Sequence, residues 1–219
     1  MSITLSGPIH KAASGGAPRR LVVLLHGLGA DGNDLIALAP VWAPLLPDAE
    51  FLSPNAPFPC DMAPFGRQWF SLQDRSPDAI LAGVRAAAPF LDAFIDNALA
   101  TRGLDEGRLA LVGFSQGTMM ALHVGLRRAK PVAGILGYSG ALIGAEGLPT
   151  EIRSRPPVLL VHGDADEIVP HQALARAVQG LAAAGVTVEE LTCPGLGHGI
   201  DEAGLRRGGA FLQRVLAPL

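Results

Sequence analysis

Cysteine, aromatic side chains and charge are all scarce in this sequence of 219 residues. Its two cysteines, Cys60 and Cys193, are too few for a disulfide framework or a four-thiolate zinc site, which is typical of a reducing compartment. Charged residues make up 17% and hydrophobic residues 49%, a composition that favours a packed core over disorder. At this length we expect one domain, spanning residues 1–219.

Long apolar runs and concentrated positive charge are also missing. The longest unbroken aliphatic stretch, residues 21–25, is far short of the roughly 18 residues that cross a bilayer, so we expect no stable membrane insertion. The formal net charge is -3 and basic residues never run beyond a pair, so nucleic acid is not an expected partner. The N-terminal residues lack the basic start and apolar stretch of a secretory signal, which predicts a cytoplasmic protein.

Short apolar runs alternate with longer helix-like segments along most of the chain. This alternation predicts an α/β fold with a mostly parallel central sheet and helices on both faces, and no segment is long enough for a large lid domain. The predicted strands are residues 21–25, 109–114, 132–136, 158–161 and 186–191, and the predicted helices are roughly residues 34–46, 77–101, 116–127, 171–184 and 202–216.

The segment Gly113-Phe114-Ser115-Gln116-Gly117 lies between a predicted strand and a predicted helix. This is the setting of a nucleophile elbow, a strained turn that projects a serine hydroxyl beyond the carboxyl end of a strand. Its flanking glycines remove side chains that would clash where strand and helix crowd together. Ser115 is therefore the predicted nucleophile.

A serine hydroxyl attacks an ester only if a histidine takes its proton and a carboxylate orients that histidine. In this type of fold the acid and then the histidine follow the serine in the chain. Of the three later histidines, His198 lies in a glycine-rich loop between the last predicted strand and helix. His162 should point into packing at a strand end, and His171 is typical of a helix start. We predict His198 as the general base.

The loop HGDADEIVP, which follows the preceding strand, offers three carboxylates. Asp164 is nearest the strand end, where a short acceptor side chain usually holds the turn through backbone N–H groups. Asp166 lies two residues further out and can reach the histidine loop, so we predict it as the acid. This spacing is also a weak signal for metal ligands, but we expect neither a metal nor a cofactor.

An oxyanion formed during acyl transfer needs two hydrogen-bond donors. This fold takes one from the residue after the nucleophile and one from an early loop. Those positions are the backbone N–H groups of Gln116 and, in the turn HGLG, of Leu28. An ordinary strand-to-loop turn is an equally good interpretation of HGLG taken alone.

The motifs HGLGADG, GFSQG, HGDADEIVP and GLGHGI, together with RQWF in a long loop, resemble the phospholipase/carboxylesterase family of α/β-hydrolases. That family contains small bacterial carboxylesterases and acyl-protein thioesterases. The motifs run from residue 26 to residue 199, which is nearly the whole chain. The resemblance implies an α/β-hydrolase fold, a triad of Ser115, Asp166 and His198, and oxyanion donors at Leu28 and Gln116.

Residues 53–74 form the longest segment without clear periodicity, and long loops in compact domains tend to be functional. The apolar part of this loop, with Phe65, Trp69 and Phe70, resembles the family's acyl-binding wall and is the predicted substrate-binding segment. Core packing or a subunit contact is the alternative, and a homodimer stays open.

The predicted function is a serine carboxylesterase that hydrolyses short to medium acyl esters of small molecules through an acyl-enzyme intermediate. The resemblance extends this range to thioesters and lysophospholipids, so a main role as acyl-protein thioesterase or lysophospholipase is the alternative. A peptidase and a dienelactone-type hydrolase share the fold, although the latter usually has cysteine where Ser115 stands. A catalytically silent binding protein is the remaining alternative, because fold alone does not establish activity.

Overall fold

The computed structural model describes residues 4–217. In chain order, its strands are β1 (Ile9–His10), β2 (Arg20–Leu25), β3 (Ala49–Leu52), β4 (Phe58–Pro59), β5 (Arg67–Gln68), β6 (Leu109–Phe114), β7 (Gly134–Tyr138), β8 (Val158–Gly163) and β9 (Val188–Cys193). Its helices are α1 (Gly32–Ile36), α2 (Ala39–Trp42), α3 (Pro77–Ala100), α4 (Gln116–Gly125), α5 (Leu148–Glu151), α6 (Gln172–Ala183) and α7 (Glu202–Val215).

Within the described residues, the central sheet has seven strands in the order β1-β3-β2-β6-β7-β8-β9. Every neighbouring pair is parallel except β1 with β3, so the predicted mostly parallel sheet is confirmed. Strands β4 and β5 form a separate antiparallel hairpin. The chain moves outward from β2 to β3 and then returns to the other side of β2 with β6. Such a reversal leaves a crevice at the carboxyl ends of β2 and β6, where open α/β sheets usually bind ligands.

The two faces of the sheet bury different residues of the same strands. In β2, Leu21, Val23 and Leu25 pack in the core cluster that contains α3, α4 and α6. Val22 and Leu24, which alternate with them, pack against α1, α2 and α7 on the other face. All five side chains are fully buried. The uninterrupted apolar run in the sequence thus reflects a strand covered on both faces, as predicted.

The predicted helix over residues 34–46 is wrong, because the structure has two short helices there. Proline lacks an N–H donor and is tolerated mainly in the first turn of a helix. Pro40 occupies the first turn of α2, and Pro44 follows shortly after that helix ends. The chain is then free to form β3, a strand that the sequence did not predict. Strands β7 and β9 begin two residues later than predicted.

Among residues 4–217, no helix is long and apolar enough to cross a bilayer.

Candidate active site

The turn between β6 and α4 holds Ser115 in a left-handed conformation, with φ 55° and ψ -116°. A residue other than glycine rarely adopts this backbone conformation, so the neighbouring structure must enforce it. A Cβ atom on Gly117 would lie 1.8 Å from the carbonyl oxygen of Leu25, and one on Gly113 would lie 2.3 Å from the carbonyl carbon of Gly117. Both glycines are therefore required by close packing, as expected for a nucleophile elbow.

Asp166 binds His198 through a hydrogen bond of 2.8 Å between Oδ2 and the ring Nδ1. Its other oxygen, Oδ1, accepts the backbone N–H groups of Ile168 and Val169, each at 2.9 Å. An ionised carboxylate can only accept, so Nδ1 of His198 carries the proton and Nε2 is left as an acceptor. The carboxylate thus fixes both the tautomer and the orientation of the imidazole.

The pKa of the Asp166 carboxyl lies below its ordinary value, although burial alone would raise it. Hydrogen bonds from His198, Val169 and Ile168 outweigh that burial because they stabilise the charged form. The side chain is fully buried, so solvent contributes little to this stabilisation. Asp166 is consequently ionised at neutral pH and available as the partner of an imidazolium.

His162 contacts the same carboxylate, which its sequence position did not reveal. Its Nε2 lies 2.8 Å from the carbonyl oxygen of Val169 and 3.3 Å from Oδ2 of Asp166. Burial lowers the pKa of His162 and outweighs the opposing effects of Val169 and Asp166. The ring is buried, as predicted, and in its neutral form it supports the loop that carries the acid.

Asp164 joins the acid loop to the histidine loop. Its Oδ1 accepts the backbone N–H of Gly195 at 2.6 Å, and nearby the N–H of Ala165 donates to the carbonyl oxygen of Leu196 at 3.0 Å. The predicted structural role of Asp164 is in keeping with this contact, although the N–H group comes from another loop rather than its own. His198 therefore lies in a segment fastened to the end of β8.

The backbone N–H groups of Leu28 and Gln116 are the predicted oxyanion donors. Within residues 4–217, neither of these groups donates a hydrogen bond to a protein acceptor. Leu28, Gln116, Ser115 and His198 all line one groove. The two N–H groups are thus free to donate to an oxygen atom of a molecule bound beside Ser115.

Trp69 connects the two segments that carry these donors. Its indole Nε1 donates to the carbonyl oxygen of His26 at 3.0 Å, two residues before Leu28. Its backbone N–H donates to Oε1 of Gln116 at 3.1 Å, and Nε2 of Gln116 donates to the carbonyl oxygen of Phe70 at 2.8 Å. Because these groups are buried, each bond would leave a costly unsatisfied partner if it broke. The network therefore fixes the two donor segments relative to each other.

Arg67 fastens the β4–β5 hairpin to the turn after β2. Its backbone N–H donates to the carbonyl oxygen of Ala30 at 2.8 Å, and its own carbonyl oxygen accepts the N–H of Gly29 at 2.9 Å. Its guanidinium donates to the carbonyl oxygens of Ala56 and Pro57, each at 2.8 Å. The turn HGLG is thus held from outside by a strand-like pairing, which the sequence motif alone did not indicate.

The aromatic residues of the long loop do not line the groove, and the prediction that they form an acyl-binding wall is wrong. Trp69 has no exposed surface and Phe70 is 2% exposed, so both belong to the core. Phe65 is 74% exposed and lies outside the groove lining. Core packing, the alternative given for this loop, describes Trp69 and Phe70, because a bulky apolar side chain in a loop packs inward as readily as it faces a ligand.

The groove beside Ser115 has a volume of about 440 Å³, a size suited to small molecules. One wall carries Phe114, whose ring centroid lies 4.8 Å from that of His198. The apolar lining comes from well-separated segments, which a linear sequence pattern does not bring together. Leu28, Leu72 and Ile168 lie in segments that the sequence singled out, but the sequence did not indicate that their side chains share one groove. These apolar residues include Leu28, Leu72, Ile80, Met119, Ile143 and Ile168.

Comparison with proteins of known sequence relates nearly the whole chain to one family. The family profile described as Phospholipase/Carboxylesterase matches residues 11–216. Acyl-protein thioesterase 1 of Gibberella zeae is 28% identical over 214 residues, which cover 90% of this chain and 91% of the fungal protein. Esterase YpfH of Escherichia coli is 28% identical over 188 residues, covering 86% of this chain and 79% of that protein.

Solved structures agree with this result. Esterase PE8 superposes with a TM-score of 0.94 and 45% sequence identity, and the match covers 98% of this chain and 100% of that chain. SOBER1 of Arabidopsis thaliana superposes with a TM-score of 0.77 and 27% identity over 90% of this chain and 99% of the plant protein. Because the family profile spans nearly the whole sequence, the chain belongs to the phospholipase/carboxylesterase family and has the α/β-hydrolase fold.

Proposed function

We propose that the protein is a serine carboxylesterase in which Ser115 is the nucleophile, His198 the general base and Asp166 the residue that orients the base. The observation that carries this proposal is the 2.8 Å bond between Asp166 and His198, because His198 lines the same groove as the strained Ser115. Membership of an esterase family supports it independently.

In the proposed reaction, Nε2 of His198 takes the proton of the Ser115 hydroxyl as the oxygen attacks the substrate carbonyl. The N–H groups of Leu28 and Gln116 donate to the resulting oxyanion. His198 then passes the proton to the leaving alcohol, and an acyl-enzyme remains on Ser115. A water molecule, activated by the same histidine, releases the acid and restores the serine.

The proposed substrates are esters of small molecules with short to medium acyl chains. The apolar lining of the groove favours an acyl chain, and each buried methylene contributes about 0.8 kcal/mol until the groove is filled. Leu72, Ile80, Met119 and Ile143 are the proposed contacts for that chain, in place of the buried Trp69 and Phe70.

Thioester hydrolysis is the second candidate, because several similar proteins are named acyl-protein thioesterase 1. The same nucleophile and oxyanion donors serve both reactions, so the leaving atom decides between them. Hydrolysis of an oxygen ester and a thioester with the same acyl chain, compared by kcat/KM, distinguishes the two.

The proposal is tested first by replacing the nucleophile. We expect Ser115→Ala to fold with an unchanged circular-dichroism spectrum and to lose roughly 10⁴-fold to 10⁶-fold in kcat for p-nitrophenyl esters, because members of a triad act as a unit. Wild-type protein should also be labelled by a fluorophosphonate probe at Ser115, as judged by peptide mass spectrometry. Retention of more than about a tenth of wild-type activity, or labelling at another serine, would contradict the assignment.

A further inference from the structure

The charges that line the groove beside Ser115 are of one sign. Arg75, in the loop before α3, and Arg176, on α6, both line the groove. No Asp or Glu is among the residues that line it, within the part of the chain that the structure describes. The protein as a whole has a net charge of -3, so this local excess of positive charge runs against the overall balance.

Both arginines also lack a partner among the residues that the structure describes. Among residues 4–217, neither forms an ion pair or a side-chain hydrogen bond with another residue, and both are exposed. Eight other arginines each have a carboxylate within ion-pair distance. A guanidinium presents a planar set of donors that matches carboxylate and phosphate oxygens, so an unpaired pair of arginines in a groove is suited to bind such a group.

A second cavity of about 550 Å³ adjoins the groove and shares Arg75, Arg176, Ile80 and Ile143 with it. The arginines therefore lie where the two cavities meet. Beyond that junction the lining includes two carboxylates, Asp78 and Glu146, together with Arg85, which pairs with Glu151 at 2.6 Å. The charge beyond the junction is mixed, so an anionic group is expected at the junction rather than beyond it.

We propose that Arg75 and Arg176 form a subsite for an anionic group of the substrate, which is an ester carrying a carboxylate or phosphate away from the bond that is cleaved. This inference rests on the proposed function, because it takes Ser115 as the reacting atom. The apolar side chains of Ile80 and Ile143 at the junction suit an aliphatic segment between the reacting carbonyl and the anionic group. The anion lies either on the acyl chain or on the alcohol.

Two matched pairs of substrates test the subsite. The first pair is mono-p-nitrophenyl suberate and p-nitrophenyl methyl suberate, which have the same acyl chain with a charged or a neutral end. The second pair is octanoyl glycerol phosphate and octanoyl glycerol, which place the charge on the alcohol. We expect kcat/KM of the wild-type protein to be about five- to tenfold higher for the charged member of one substrate pair at low salt, since an ion pair between exposed groups contributes only a modest free energy. That preference should decline as salt is added.

Substitutions then locate the effect. The double variant Arg75→Gln with Arg176→Gln should lose the preference while it keeps wild-type kcat/KM for the neutral esters. Arg85→Gln is the matched control, because Arg85 lines only the second cavity and already pairs with Glu151. It should keep the preference.

Equal kcat/KM for both members of both pairs in the wild-type protein would overturn the subsite. A preference that survives in the double variant, or that Arg85→Gln also abolishes, would do the same. These results are separable from failure of the proposed function, because the neutral esters measure hydrolysis at Ser115 without the anionic group. A wild-type protein that hydrolyses none of the four compounds contradicts the proposed function itself.

Discussion

Asp164 and Asp166 carry the same functional group two residues apart, yet their partners differ. Asp166 contacts the ring of His198, whereas Asp164 accepts a backbone N–H from Gly195. The first contact controls the proton position on an imidazole, and the second holds a loop. Removing the charge of each residue should therefore affect different measurements.

We expect Asp166→Asn to lower kcat for ester hydrolysis by roughly 10³-fold to 10⁴-fold, because an amide can present an N–H to Nδ1 and favour the wrong tautomer of His198. Asp164→Asn retains an oxygen acceptor for Gly195, so its kcat should fall less than about tenfold, with any larger effect confined to the melting temperature. Steady-state kinetics and thermal melts of both variants check this. A greater kcat loss in Asp164→Asn than in Asp166→Asn would show that Asp166 is not the acid of the triad.

The positions of the proposed triad could be predicted from sequence because each one has a local signature and a fixed chain order. Ser115 has flanking glycines, His198 has a glycine-rich loop, and Asp166 follows a buried strand. Trp69 lies in the motif RQWF, but that motif did not indicate whether the side chain faces the groove or the core. Its indole N–H donates to a backbone carbonyl oxygen and its ring is buried in the core. Only the fold reveals which side of a loop faces inward.

Elements with strong periodicity were predictable, and short elements were not. Helix α3 and the five strands β2, β6, β7, β8 and β9 begin within two residues of their predicted starts. Strand β3 has only four residues, and its place in the sheet depends on hydrogen bonds to β2 and β1 rather than on its own pattern. The division of the predicted helix into α1 and α2 depends on the positions of the prolines, which a pattern of apolar residues does not take into account.

The loop that contains Trp69 offers a matched test of how one element positions another. The chain has two tryptophans, both fully buried, and each indole donates to one backbone carbonyl oxygen: Trp69 to His26 at 3.0 Å and Trp42 to Leu205 at 3.1 Å. Only the acceptor of Trp69 lies beside the turn that carries Leu28. The same substitution at both positions thus separates positioning from general stability.

We expect Trp69→Phe to lower kcat about tenfold with KM nearly unchanged, because loosening one proposed oxyanion donor should cost less than the 10²-fold to 10³-fold that follows its removal. Trp42→Phe also removes one hydrogen bond of a buried indole, so it should lower the melting temperature, but its kcat should stay within about twofold of wild type. Matching kcat losses in the two variants would show that Trp69 acts only through stability.

At the scale of the whole molecule, buried neutral histidines tie stability to pH. His123 on α4 is 4% exposed, and its Nδ1 has no hydrogen-bond partner among the described residues. Burial, followed by the charge of Arg127, lowers the pKa of His123 from 6.5 to about 4. Between these values the unfolded chain binds a proton that the folded protein does not. The free energy of unfolding therefore falls as pH decreases through this window.

The expected contribution of His123 to that decrease is at most about 3 kcal/mol between pH 6.5 and 4, from roughly 1.4 kcal/mol per pKa unit. His26 and His162 add to it, because burial lowers the pKa of each. We expect His123→Leu to show a shallower dependence on pH than wild type, as measured by urea unfolding at several values in this window. Parallel curves for the two proteins would show that protonation of His123 is not coupled to folding.

The apolar side chains that line the groove and the side chains that hold the proposed triad and oxyanion donors are largely different sets. Leu72, Ile80 and Ile143 line the groove, and they make none of the side-chain hydrogen bonds that fix Asp166, His198 or the turn after β2. Substitutions at these three positions can therefore accumulate without disturbing the chemistry. This separation makes the substrate range evolvable, and it marks these positions as the first to randomise in a directed search for a new acyl preference.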